Sequence, residues 1–355
     1  MNMITSIKPH LWPICAAALL LGATSCSSEE IANPDSNKDQ PKLHLLVDAQ
    51  NWLPTHDSRV TLEDRAADRT LVKNWEGNEN ATAFAIFYPD RSVPQSVTMT
   101  GNGTLSNPYS NSSPLLTKAT LTNITGKVDK FAEFSGDVPA EYYQTGQQLA
   151  LFYPSVENNR HVQLYSSTNG EVIQDQDSEA EGKTPKYTRP DMRIEVQHQD
   201  GLLETIQKEH FYMIGLGEIL KVEGPSASAH LGRMLQLSTL AKFFFYNGSI
   251  SQPLTDISSV KIEGLISVVN VSFSGESFTW HKDNTSHHTI DIADFADPNR
   301  NYVYVSMFAG SRDTHTVSPK FTVMAGGKTY TAQLPAAHLH PGAWYDGIHV
   351  VLQQQ

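Results

Sequence analysis

Beyond Pro41 the chain is written in short runs in which apolar and polar residues often alternate, with turn formers between them. Such runs include Ala83 to Tyr88, Gln148 to Tyr153, His161 to Tyr165, Met192 to Val196, Val268 to Phe273, Tyr302 to Phe308 and Phe321 to Met324. They are rich in Val, Ile, Phe, Tyr and Thr, and a period of two turns one face of each run to a core and the other to water. Lys320 to Leu334 predicts a hairpin: Gly326-Gly327 between two alternating runs supplies the positive φ that a tight turn needs. Helical periodicity is scarce. Leu202 to His210 has room for two helical turns and Ala227 to Ser238 for another. The pattern predicts an all-β fold of two β-sandwiches in tandem, residues 42–225 and 226–355, divided at the small-residue break Gly224-Pro225-Ser226-Ala227-Ser228. A length of 355 residues agrees with two domains. Residues 168–191 are polar and hold two glycines and two prolines, which predicts a long surface loop.

The N-terminus has a different pattern. Lys8 and His10 precede an apolar stretch, Leu11 to Ala23, too short to span a bilayer as a helix, and small residues lead to Cys26. A basic start, an apolar centre and a small-residue exit predict a secretory signal over residues 1–25. Leu21-Gly22-Ala23-Thr24-Ser25-Cys26 resembles a lipoprotein box, with Ala23 where that pattern prefers Leu. The resemblance implies that Cys26 is lipidated and heads the mature chain, anchored in the outer membrane. Residues 26–41 follow as a polar tether that cannot bury a core.

Charge and cysteine count narrow the function. The formal net charge is −12, and without Lys8 of the signal it becomes −13, which argues against nucleic acid as a partner. The two cysteines are Cys15, in the signal, and Cys26, so the body is expected to hold no disulfide, no catalytic thiol and no Cys-based zinc site. Fourteen histidines invite a metal reading. Yet His287-His288 and His338/His340 lack a carboxylate at helical metal spacing, and there is no HExxH. Ser274-Gly275-Glu276-Ser277 lacks the flanking pattern of a nucleophile elbow, and no glycine-rich phosphate loop occurs. The reading is a non-enzyme without cofactor or metal.

Several segments, in order, resemble the fimbrillin-type family of Bacteroidota, the subunits and accessory proteins of type V pili. They are the lipoprotein start with its acidic Glu29-Glu30; Arg65-Ala66-Ala67 followed by Asn74-Trp75-Glu76-Gly77 and Phe84-Ala85-Ile86-Phe87; Gln148 to Pro154; Asp200-Gly201, Phe211-Tyr212-Met213 and His230 to Phe245; and the closing Leu339 to Leu352. The resemblance covers most of the chain. It implies two transthyretin-like sandwiches, a place in a surface fimbrium concerned with cell adhesion, pilin-like partner subunits, host or bacterial surface ligands, and polymerisation by strand donation. It also implies cleavage after an Arg that follows the first strand. Arg65 fits best, with Arg59 and Arg69 as alternatives.

The first strand carries its own physical argument. In Lys42 to Gln50, Leu43, Leu45, Val47 and Ala49 fall on one face. Three large apolar residues buried at roughly 1.5–3 kcal/mol each contribute about 5–9 kcal/mol before entropy is subtracted. Removing that strand would open an apolar groove and an unpaired edge, which invites a strand from another subunit. The last strand, Trp344 to Leu352, is either an ordinary closing strand or the donated one. The rival to this pilus reading is a glycan-binding surface lipoprotein. Its candidate ligand contact is Trp280, in the polar stretch Phe278 to His288 that reads as a loop.

Overall fold

The computed structural model describes residues 42–48, 61–67, 69–75, 77–86, 117–125, 131–157, 159–164, 173–174, 187–188, 191–274, 277–283, 286–293, 295, 299–310 and 316–355. Cys26, Ala49 and Arg59 lie outside them.

The fold is all-β, as the alternation predicts. The first sheet joins β1 (Lys42–Asp48), β4 (Asn80–Ala85), β5 (Thr117–Asn123), β6 (Phe131–Asp137), β7 (Gln148–Tyr153), β13 (Met213–Glu223), β14 (Ser226–Leu231) and β15 (Leu235–Gln236) in the order β14-β1-β6-β5-β4-β7-β13-β15. Because β14 also pairs with β13, seven of these strands close on themselves. Their inner face encloses a core that includes Leu43, Ala83, Leu121, Phe134, Leu149 and Leu151. Trp75 stands in this core, edge-on to Phe134 and Tyr153 with ring centroids 5.4 and 5.2 Å away.

β4, β7 and β13 are apolar at alternate positions on both faces. The outer residues Phe84 of β4, Phe152 of β7 and Ile214 of β13, with Tyr212 just ahead of β13, meet a four-stranded sheet made of β8 (Val162–Leu164), β11 (Met192–Glu195), β18 (Val268–Ser274) and β19 (Ser277–Lys282). The remaining large sheet holds β12 (His198–Gln199), β16 (Ser238–Asn247), β17 (Ile257–Glu263), β20 (Thr289–Ile292), β21 (Tyr302–Phe308), β23 (Lys320–Ala325), β24 (Lys328–Gln333) and β26 (Trp344–Gln354) around a third core with Phe243, Phe245, Val305, Phe321 and Val350. Small pairs complete the set: β2 (Thr61–Arg65) with β3 (Thr70–Asn74), β9 (Ile173–Gln174) with β10 (Tyr187–Thr188), and β22 (Thr316–Val317) with β25 (Ala337–His338).

Local predictions meet mixed outcomes. Gly326 and Gly327, at φ 53° and 73°, make the β23–β24 hairpin turn. Leu203–Thr205 and the π-type turn Ile206–His210 form the expected helical segment. Ala227 to Ser238 is not helical: it supplies β14 and β15. Gly224, at φ 54°, is the turn of the β13–β14 hairpin, and pairing within the first sheet continues to Gln236. β11 pairs with β18, so strands on either side of position 225 share a sheet within the unit Asp39–Gln355.

Candidate functional site

β1 lies between β14, to which it is parallel, and β6, to which it is antiparallel. It is therefore the piece that closes the ring of strands. Leu43 is fully buried, and its register partners are Gly136 and Ala227. Position 45 is flanked by the buried Phe134 and Ala229, and position 47 by the buried Ala132 and Leu231. The slot beside Leu43 is lined by small residues. Gly136 has to be small: a Cβ there would sit 2.5 Å from the Thr120 carbonyl oxygen. The Lys42 amide donates to the Pro225 carbonyl at 3.1 Å, which fixes the start of the strand beside the β13–β14 turn.

The other candidate residues stand on the β2–β3 hairpin. Arg65 ends β2 with its side chain half exposed, its guanidinium 3.2 Å from the Glu63 carboxylate. Ala66 and Ala67 lie in the turn, and Arg69 follows at φ 57°, also exposed. The hairpin is not a loose flap. Leu62 and Leu71 are buried in the first core, and the Leu62 amide donates to Gln207 Oε1 at 3.1 Å.

Two buried charges tie the hairpin to the third core's sheet. Lys242 of β16 donates to Asp64 Oδ2 at 2.6 Å, and the Tyr304 hydroxyl donates to the same oxygen at 2.7 Å. Lys242 Nζ also lies 4.7–5.2 Å from the ring centroids of Phe244, Tyr302 and Tyr304. Burial and the Asp64 carboxylate both raise the Tyr304 phenol's pKa. On β3, Lys73 is buried and donates to Gln236 Oε1 and to the Gly342 carbonyl. Burial pushes its pKa down to about 7.

Trp280 is not in a loop. It belongs to β19, is 8% exposed, donates from Nε1 to the Ala309 carbonyl at 3.1 Å and stacks with Phe278. Its neighbours are polar because β19 is an edge strand with one face outward. β26 is paired on both sides, parallel to β16 and antiparallel to β24.

The fold also assembles a cluster that no sequence motif announced. His161, Glu209 and His210 bring ligand atoms within 4.8 Å of one another. His161 immediately precedes β8, while Glu209 and His210 end the π-type turn. Burial, with His161 nearby, pushes the His210 pKa down to about 4.

No family model matches the chain, and no curated protein matches it. Among solved structures it is similar to a candidate cell adhesion protein of Bacteroides ovatus (12% identity, 89% of this chain and 96% of that one, TM-score 0.43). It is also similar to one of Bacteroides uniformis (11% identity, 90% and 97%, TM-score 0.40) and to a fimbrial assembly protein of Parabacteroides distasonis (13% identity, 86% and 89%, TM-score 0.36). Likeness at this level transfers no residue role to this chain.

Proposed function

We propose that the chain is a structural subunit or an accessory (tip or minor) protein of a cell-surface pilus. In this reading it is exported as a lipoprotein anchored through Cys26 to the outer membrane. It joins other pilin-like subunits by β-strand donation once its N-terminal strand has been removed by proteolysis. The observation that carries the reading is the position of β1. It is the strand that closes the first sheet, it inserts Leu43 into the core, and it is joined to the following hairpin through residues 49–60. Taking it out would leave β6 and β14 with unpaired edges on either side of an apolar slot, which an extended strand of another subunit would fill. Backbone pairing would give affinity, and the small residues beside Leu43 would select large side chains at alternate positions of the donor.

Arg65 fits the cleavage step because it is exposed at a hairpin end. A cut there would leave β2 with the departing fragment, so Asp64 would have to be withdrawn from Lys242 as β1 leaves. Two locks would therefore hold the strand, the apolar slot and a buried ion pair. The glycan-binding alternative has lost the residue that motivated it, since the Trp280 ring is packed in a core.

Deleting the gene and imaging the cells by electron microscopy, with subunit analysis of the recovered fibres, tests the function. Absent, shortened or compositionally altered fibres are expected. Fibres unchanged in form and composition contradict the proposal.

A further inference from the structure

We infer that His161, Glu209 and His210 form a binding site for a divalent first-row transition cation, with zinc as the fitting case. Two imidazoles and one carboxylate are a borderline-soft donor set suited to zinc, and three protein ligands leave a fourth position for water. His161 Nε2 and Glu209 Oε2 are 3.2 Å apart, close to the roughly 3.3 Å edge of a tetrahedron with 2.0–2.1 Å zinc bonds. The third ligand atom lies within 4.8 Å of both, so closure onto a metal needs a movement of roughly 1.5 Å at most. Glu209, 40% exposed at its side chain, has room to make it.

Two independent observations point to a cation. The first is what these acceptors hold at present. Arg160 donates from Nε to His161 Nε2 at 3.1 Å and from Nη2 to Glu209 Oε2 at 3.2 Å. Two acceptors thus converge on one positive group, whose side chain is 78% exposed and free to swing into water. The second is His210. The residue is 1% exposed, its ring centroid lies 4.5 Å from that of His161, and its Nδ1 is buried with no hydrogen-bond partner among the described residues. A buried polar atom without a partner is costly, and a metal bound at that nitrogen would relieve the cost.

The ligands are also held in place. The His210 carbonyl accepts from the Ser238 and Ser306 hydroxyls at 3.0 and 2.7 Å, and the Glu209 carbonyl accepts from the Tyr212 hydroxyl at 2.7 Å. A cavity of about 400 Å³ lined by Asn80, Ser155, Asn159, Lys208 and Glu209 gives the site access to solvent. A bound ion would staple the start of β8 to the turn before β13, segments nearly 50 residues apart, and would stabilise the folded chain by mass action.

The test is zinc titration of the untagged, chelator-stripped full-length protein by calorimetry, with thermal unfolding and cobalt absorption as further readouts. One equivalent of zinc, a raised Tm and a tetrahedral cobalt spectrum are expected. Glu209→Gln and His161→Ala should lose all three, and Glu209→Gln should keep the Tm that the parent protein shows in chelator. Arg160→Gln should bind zinc more tightly than the parent because the competing cation is gone. Equal zinc uptake by the parent and Glu209→Gln, or no uptake by the parent and Arg160→Gln, would overturn the assignment.

Discussion

Asp64 on the β2–β3 hairpin and Lys242 on β16 form a buried ion pair at 2.6 Å, with the Tyr304 hydroxyl on the same carboxylate oxygen. The residues are 178 positions apart in sequence, so the pair fastens the hairpin that bears Arg65 to the third core's sheet. Removing one partner of such a pair strands the other charge. Asp64→Ala is expected to cost about 3–5 kcal/mol, whereas Asp64→Leu combined with Lys242→Met should recover most of the loss. Urea unfolding of the single and double variants measures the difference. The same Asp64→Ala change should make the β2–β3 turn easier to cut with trypsin.

Lys73 gives the protein a pH dependence of definite sign. Its folded-state pKa, pushed down to about 7, lies below the ordinary lysine value of 10.5. Between those limits the unfolded chain binds more protons than the folded one, so stability rises with pH from about 7 to 10.5. Below that window both states carry the charge and the burial cost is present in full. At about 1.4 kcal/mol per unit, the gain across the window is on the order of a few kcal/mol. Lys73→Met should be more stable than the parent at pH 7 and should lack this part of the slope. Urea midpoints at intervals from pH 7 to 10 compare the two.

Leu43 should behave as a core residue despite its place near the start of the folded body. Leu43→Ala is expected to lose about 2–5 kcal/mol by thermal or denaturant unfolding, because the slot beside Gly136 and Ala227 is left with a void. Lys42→Ala, on the same strand but exposed, should change stability by less than about 0.5 kcal/mol.

Trp280→Ala should act through packing. The ring lies in the core between the first sheet and the four-stranded sheet, so its loss is expected to cost about 3–5 kcal/mol. Affinity gels run with polysaccharide should show the same mobility for the parent and for any folded fraction of the variant. Retardation of the parent that the folded variant lacks would restore the glycan-binding reading.

Much of the fold was legible because short runs rich in β-branched and aromatic residues, alternating or wholly apolar, mark strands, and β7 and β21 begin and end where such runs do. Where reading failed, a local signal had competed with that period. Ser226 to Leu231 alternates polar and apolar, but its alanines favour helix, and the strand forms because Ala227 and Ala229 pack beside β1. The polar neighbours of Trp280 suggested a loop, although an edge strand with one wet face has the same composition. Leu43 was identified from the sequence as a core-facing residue, while the parallel pairing of β1 with a strand more than 180 residues away was not. The ion pair at Lys242 and the cluster at His161, Glu209 and His210 depend wholly on such long-range closure. Glu209-His210 is a common dipeptide until the start of β8 brings His161 beside it.

The exchange of β1 can be tested by locking it. His44 and Ser135 face each other across β1 and β6, and the chain's two cysteines, Cys15 and Cys26, both precede β1. A His44→Cys, Ser135→Cys protein can therefore carry a disulfide that holds the strand in its own sheet. Polymer formation by this variant, followed by size exclusion and electron microscopy with and without reductant, is the decisive measurement. No polymer while oxidised and normal polymer after reduction is the predicted result; polymer formed equally well with the disulfide intact would contradict strand exchange at β1.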